Sequence, residues 1–270
     1  MTSGMESNNK NTLKKILMGA VSALIWIGVW EIAYLAVNRE VLIASPLSVF
    51  LRLSELAFEG SFWLKIANSL FAVFKGYLLA FLAGIILCVL TSVSDFAYAV
   101  FKPFLNVIRA TPVASFIILA LVWMSKQTVP VFTSFLMVMP IVWANLTTGV
   151  RSTDRKLIEM AKAYKLPKSK ILTKIYIPSV MPEFLNSVTT GLGFAWKSAV
   201  AAEVLSTPKN TIGAELYNSK VYLETVDLFA WTAVIIILSL ALEKILVTIL
   251  DFVFKKIMSK GGYFIENTDK

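Results

Sequence analysis

The sequence predicts an all-α protein that crosses a membrane several times, and three observations carry that prediction. The mean hydropathy is +0.72 and only 16% of residues are charged, whereas roughly a quarter are charged in soluble domains. Apolar segments near the ~20 residues needed to cross ~30 Å of hydrocarbon recur six times along the chain. Lys and Arg gather in some of the connections between these segments and avoid others, the pattern that sets orientation in a bilayer.

The total charge means less than its placement. An excess of +9 would suggest nucleic acid in a soluble protein, but here it follows membrane topology, and no nucleic-acid partner is expected. The length suits one membrane domain, placed at residues 16–258 between cytoplasmic tails 1–15 and 259–270. There is no histidine and one cysteine, Cys88, inside an apolar run. That excludes an intramolecular disulfide and any zinc site built from His and Cys, and it removes the commonest general base. No catalytic residue, metal or cofactor is expected, and an intramembrane enzyme is disfavoured.

The elements follow in order. The polar stretch MTSGMESNNKNTLKK precedes a first span, Ile16–Val37. That span is too long for a signal-peptide core and lacks a convincing cleavage motif, so it is expected to remain as an anchor. Ser45–Phe62 places Val49, Leu53, Leu56 and Ala57 on one helical face, with Arg52, Glu55 and Glu59 elsewhere. Such a helix lies at the outer interface or packs against the bundle. The second span is Leu70–Val93, followed by a loop, Ser94–Arg109. The third and fourth, Ala110–Ser125 and Thr128–Val150, form a hairpin through Lys126 and Gln127. A basic segment leads to the fifth span, Phe184–Leu205, an outer loop Ser206–Asp227 and the sixth span, Leu228–Phe254. No internal repeat or interrupted helix bearing ion ligands is evident, which disfavours an ion-coupled secondary carrier.

With the N-terminus inside, the cytoplasmic segments hold Lys10, Lys14 and Lys15; Lys102 and Arg109; Arg151, Arg155, Lys156, Lys162, Lys165, Lys168, Lys170 and Lys174; and Lys255, Lys256, Lys260 and Lys270. These are most of the 26 Lys and Arg residues. The outer loop Ser206–Asp227 carries Lys209 and Lys220 against Glu215, Glu224 and Asp227. Both termini of this multi-pass membrane protein are therefore expected in the cytoplasm.

The segment IEMAKAYKLPKSKILTKIYIP, Ile158–Pro178, holds the densest positive charge. Ser152–Asp154 offers helix N-caps, and Leu157, Ile158, Ala161 and Tyr164 share one face. Pro167 breaks that helix. Ile171, Leu172 and Ile175 start a second apolar face, which Pro178 and Pro182 are expected to end. Charge alone fits a polybasic loop that sets topology or holds anionic lipid.

The spacing carries more. Glu159, Met160 and Ala161, then Lys165, Ile175, Ile177 and Pro178, resemble the cytoplasmic EAA loop of ABC importer permeases, in register over the whole motif. Met160 stands where that pattern has Ala, Ile177 where it has Leu, and Lys165 where it has Gly. Lysine adopts a left-handed turn only at a cost. The stretches RATPVASFIILALVWM and GLGFAWKSAVAAEVLSTPKN resemble permeases of the nitrate, sulfonate and taurine branch. The resemblance implies a type I ABC importer fold of six transmembrane helices with a coupling helix pair at 151–178. It also implies a permease homodimer, two ATP-binding cassette subunits and an extracytoplasmic solute-binding protein. Glu159, Met160, Ala161, Lys165, Ile175, Ile177 and Pro178 would couple to the ATPase, which alone would bind ATP. The solute implied is a small anion such as a sulfonate, taurine or nitrate, or alternatively a vitamin or pyrimidine precursor.

GLGFAWKS, Gly191–Ser198, imitates a phosphate-binding loop, but Trp196 occupies the required second glycine position and no strand precedes it. Ionisable groups within spans are functional candidates because burying them in hydrocarbon is costly. Lys197, Glu203 and Glu31 are therefore candidates for the solute pathway, and Trp196, next to Lys197, is taken with them. Lys197 is expected either to meet an anionic solute or to pair with an acid such as Glu31. Glu203, near the outer end, is expected to face water or the binding protein. Glu243, beside Lys244, is expected to be structural.

Overall fold

The computed structural model describes residues 2–261. It consists of helices α1 (Thr2–Val37), α2 (Pro46–Phe58), α3 (Gly60–Val93), α4 (Asp95–Ala110), α5 (Val113–Trp123), α6 (Val129–Arg151), α7 (Arg155–Ala163), α8 (Lys168–Ile171), α9 (Ile177–Ser206), α10 (Ile212–Val221) and α11 (Thr225–Gly261), with a π-helical segment at Leu172–Tyr176. No strand occurs among the described residues. The C-terminal tail expected at 259–270 lies outside them beyond residue 261. The N-terminal residues 2–15 are helical, and α1 runs without a break from Thr2 into the first span.

Each expected span falls on a helix, with differences that have physical causes. Leu17–Val37, Gly60–Val93, Val129–Arg151 and Thr225–Leu250 are long and apolar enough to cross a membrane. The fifth expected span lies in α9, whose 30 residues make a rod of ~45 Å. It carries Glu183, Lys197 and Glu203, so it is less apolar than those four. The third expected span is only the 11 residues of α5. The chain turns by 102° between α4 and α5, at Thr111–Pro112, where the proline ring keeps the preceding residue out of helical geometry. The expected loop Ser94–Arg109 is itself helical: Ser94 caps α4 by accepting a hydrogen bond from the Ala97 N–H at 3.2 Å.

Two compact units make up the chain, Met1–Trp63 with Glu215–Ala233, and Leu64–Ala214 with Val234–Lys270. In the first, α2 starts at Ser45, whose hydroxyl oxygen accepts the Ser48 N–H at 3.0 Å, followed by Pro46, whose missing N–H costs nothing there. Val49 and Leu56 are buried, while Ala57 is exposed. Arg52 grips Asp227 through Nε at 2.5 Å and Nη2 at 3.0 Å. These hydrogen bonds to Asp227 hold the guanidinium pKa above its usual value. Trp30 donates to the Ala44 carbonyl at 3.0 Å and stacks on Phe229.

The second unit is built on α6 packed against α9, with α3, α5 and α4 around them. Glycines make the close crossings. A Cβ on Gly76 of α3 would lie 2.7 Å from the Ser134 Cβ of α6, and one on Gly84 would lie 2.8 Å from the Val142 Cβ. Small residues at helix crossings are how membrane helices gain packing when lipid is as apolar as their own side chains. Ile117 and Ala120 of α5 bury themselves against Val129 and Ala202, so the short α5 is anchored on both central helices.

Candidate functional site

The basic loop joins the two best-packed helices. At its base, Gly149 of α6 lies so close to α9 that a Cβ there would come within 3.1 Å of the Val180 Cα. Thr153, buried beside it, donates to the Gly149 carbonyl at 3.2 Å. Asp154 then caps α7 by accepting the Lys156 N–H at 2.8 Å, as the sequence predicts. Glu159, Met160 and Ala161 lie on α7. Ala161 is fully buried, but Met160, Leu157 and Tyr164 are 50%, 43% and 77% exposed. Most of the apolar side of α7 is therefore uncovered within this chain, which is unusual for a surface helix with its own packing partner.

Lys165 adopts the left-handed conformation that glycine takes most easily. Its φ is 51°, its N–H bonds to the Lys162 carbonyl at 2.9 Å, and the Leu166 N–H bonds to the Ala161 carbonyl at 2.9 Å. These are the two reversed hydrogen bonds of a Schellman stop, with the left-handed residue in the position glycine prefers. Pro167 then opens α8.

The expectation that Pro178 and Pro182 end the second helix is wrong. Pro178 lies in the first turn of α9 and Pro182 inside it. The intervening segment Leu172–Tyr176 is π-helical and holds Ile175, and the Ile177 N–H reaches the Leu172 carbonyl. The wider turn accommodates a residue without an N–H, and its ring, where a regular helix would clash. Ile177 and Pro178 therefore open α9 directly, and the loop's second arm is continuous with the fifth span.

A cation–π stack that sequence spacing gave no sign of braces the loop's other side. The Arg151 guanidinium sits 3.6 Å above the Tyr98 ring of α4, and Lys102 Nζ lies 5.3 Å from the same ring. Tyr98 in turn packs on Trp143, whose indole N–H donates to Thr91 at 2.9 Å.

The pathway candidates separate. Glu31 lies on α1 in the first unit, whereas Lys197, Trp196 and Glu203 lie on α9 in the second. Among the described residues of its own unit, Lys197 has no ion-pair partner, and its side chain is exposed. It lines a cavity of about 320 Å³ with Thr189, Thr190, Trp196, Ser239 and Glu243. Trp196 is 2% exposed, and its indole N–H has no acceptor among the described residues.

Glu203 does not face water; it is fully buried. Its Oε2 accepts the Ser69 hydroxyl at 2.8 Å and the Gly213 N–H at 3.0 Å, while Ser69 Oγ accepts the Ile212 N–H at 3.0 Å. The carboxylate thus ties α3 and α9 to the first turn of α10, whose free N–H groups favour an anion. Gly213 fits there because it has no Cβ: one would collide with the Glu203 Cβ. A period read along one helix cannot reveal a partner 134 residues away.

Residues 76–259 match the family described as binding-protein-dependent transport system inner membrane component. The nitrate import permease of Leptolyngbya laminosa is 25% identical over 206 residues, 72% of each chain. The taurine transport system permease of Escherichia coli is 24% identical over 230 residues, 83% of this chain and 82% of its own. Among solved structures, an amino acid ABC transporter superposes with a TM-score of 0.60 at 15% identity, covering 74% of this chain and 95% of that one. That likeness concerns the fold.

Proposed function

Because the chain belongs to the family of binding-protein-dependent transport system inner membrane components and is similar to nitrate, taurine and aliphatic sulfonate permeases, we propose that it forms the solute pathway of an ABC importer and couples that pathway to a separate ATPase through α7 and the turn after it. The chain is a multi-pass inner-membrane permease and a transport component, not an enzyme. The observation that carries the coupling assignment is the loop's mounting. Its ends are clamped where α6 meets α9 at Gly149 and Val180, while most of the apolar side of α7 is uncovered.

That geometry supports transmission by a rigid element. A docked ATPase covers Leu157, Met160 and Tyr164, with Glu159 at the edge of the contact. Movement of the loop passes into α6 on one side and, through the π segment, into α9 on the other. Two permease copies, two ATPases and an extracytoplasmic binding protein make the working assembly. ATP, bound by the ATPases alone, turns the pathway outward, and hydrolysis resets it. The solute is a small molecule carrying an oxyanion group, of the kind the relatives' names describe, nitrate and taurine among them.

The test replaces Glu159 with Lys, or Ala161 with Trp, in the complete transporter. Both variants are expected to reach the membrane at normal levels, to lose most solute-stimulated ATP hydrolysis and transport, and to co-purify poorly with the ATPase. Normal transport by both would remove α7 from the coupling role.

A further inference from the structure

The stack of Arg151 on Tyr98 lies where the basic loop begins. Arg151 is the last residue of α6. The two residues after it turn back onto the helix, with the Ser152 and Thr153 hydroxyls both donating to the Gly149 carbonyl. The guanidinium stands 3.6 Å from the Tyr98 ring centroid and forms no ion pair among the described residues. The electron-rich face of the ring is therefore what meets its charge. That ring is itself held in place: it packs on Trp143 with 6.0 Å between centroids, and Trp143 donates to Thr91 of α3 at 2.9 Å.

A second attachment of the same element lies far from the loop. Beyond the 102° turn α4 continues as α5. There Ile117 and Ala120 pack against Val129, the first residue of α6, and Ala202, near the end of α9. The 23 residues of α6 make a rod of ~35 Å, so the bent pair α4–α5 is attached at both ends of that rod. The two attachments differ in kind. At the far end it is apolar packing; at the loop it is one exposed cation on one ring. Leu105 and Ile108, the buried residues of α4, lie in its second half, which leaves the half nearer the loop to the Tyr98 stack.

We propose that Tyr98 is a positioning residue for coupling, clasping α4 to the base of the loop so that displacement of the loop carries α4 and α5 with it. The proposal rests on the reading of α7 as the ATPase contact and deepens it, adding a third route out of the loop beside α6 and α9. Movement at Arg151 passes along α4, round the turn and into α5, which bears on the far ends of both central helices. A bent pair attached only through α5 would stay with those far ends when the loop moves. The clasp needs the ring face and not the hydroxyl, because the π-system holds the cation. Lys102, one turn along α4 and 5.3 Å from the same ring, belongs to α4 itself and so joins nothing to the loop.

The experiment uses the full-length chain in nanodiscs with its ATPase, with ATP and vanadate as the probe and no solute. Cys88, the only cysteine, is replaced by Ser. An environment-sensitive fluorophore is then attached through Lys170→Cys in the loop or Val122→Cys on α5, both exposed positions. With Tyr98 and Arg151 intact, both labels are expected to respond to nucleotide. Tyr98→Leu and Arg151→Gln should each keep the loop response and cut the α5 response at least about threefold, as losing one cation–π contact implies. Tyr98→Phe should keep both responses, and the double variant should be no worse than either single one. Arg151 is exposed, so Arg151→Gln tests the clasp even where Tyr98→Leu folds poorly. An unchanged α5 response in Arg151→Gln, a fall at both labels together, or equal losses in Tyr98→Phe and Tyr98→Leu would each overturn the proposal. A silent α5 label beside a responsive loop label, with both residues intact, overturns the clasp and leaves the importer reading standing. Silence at both labels removes the loop from coupling, and the clasp with it.

Discussion

At the scale of single residues, the chain spends side chains on backbone groups that helix ends leave unpaired. Lys165 accepts a left-handed conformation, and the two hydrogen bonds of the stop offset its cost. Glu203 does similar work over a longer distance, serving the Gly213 N–H directly and the Ile212 N–H through Ser69. Replacing Glu203 with Leu strands two of these donors in an apolar site, each worth ~1–3 kcal/mol. Glu203→Gln retains an accepting oxygen and is expected to lose clearly less. Thermal unfolding of the purified chain distinguishes them; equal melting temperatures for the two variants would show that Glu203 is not holding α10.

At the scale of elements, the crossing of α6 and α9 decides how the loop behaves. Gly149 leaves no room for a side chain against Val180 and Glu183, so Gly149→Val must push the helices apart or be rejected. Overpacking of this kind costs ~1–3 kcal/mol. The expected result is a protein that still inserts but unfolds at lower temperature and hydrolyses ATP through its partner without proportionate transport. Unchanged coupling, read as solute moved per ATP, would mean that the loop's base need not be tight. The π segment between α8 and α9 is the other element with a mechanical consequence. It joins the loop to the fifth span as one continuous rod, although the two prolines suggested a break.

At the scale of the whole molecule, orientation governs every assignment, because a single span gained or lost inverts all that follows. The short α5 and the 102° turn before it make the third crossing the sensitive one. Reporters fused after Lys165 and after Lys260 are expected to read cytoplasmic, and one fused at Asn218 external. An external signal at Lys165 would place the basic loop on the wrong side for an ATPase.

What the sequence determined by itself was everything that depends on composition or on neighbours along the chain. Hydropathy adds residue by residue, so membrane class and the helical positions of the spans were legible. Caps act within a few residues, so the N-cap of α7 could be placed at Ser152–Asp154, and so could the register from Glu159 to Pro178. Only the tertiary structure decided which group meets which. Periodicity says that a face will be covered, not by what: Ser69 under Glu203, Tyr98 under Arg151, and Glu243 in the cavity of Lys197 all come from distant parts of the chain. The expected water-facing Glu203 failed for that reason, since burial of a charge is set by donors that folding brings to it.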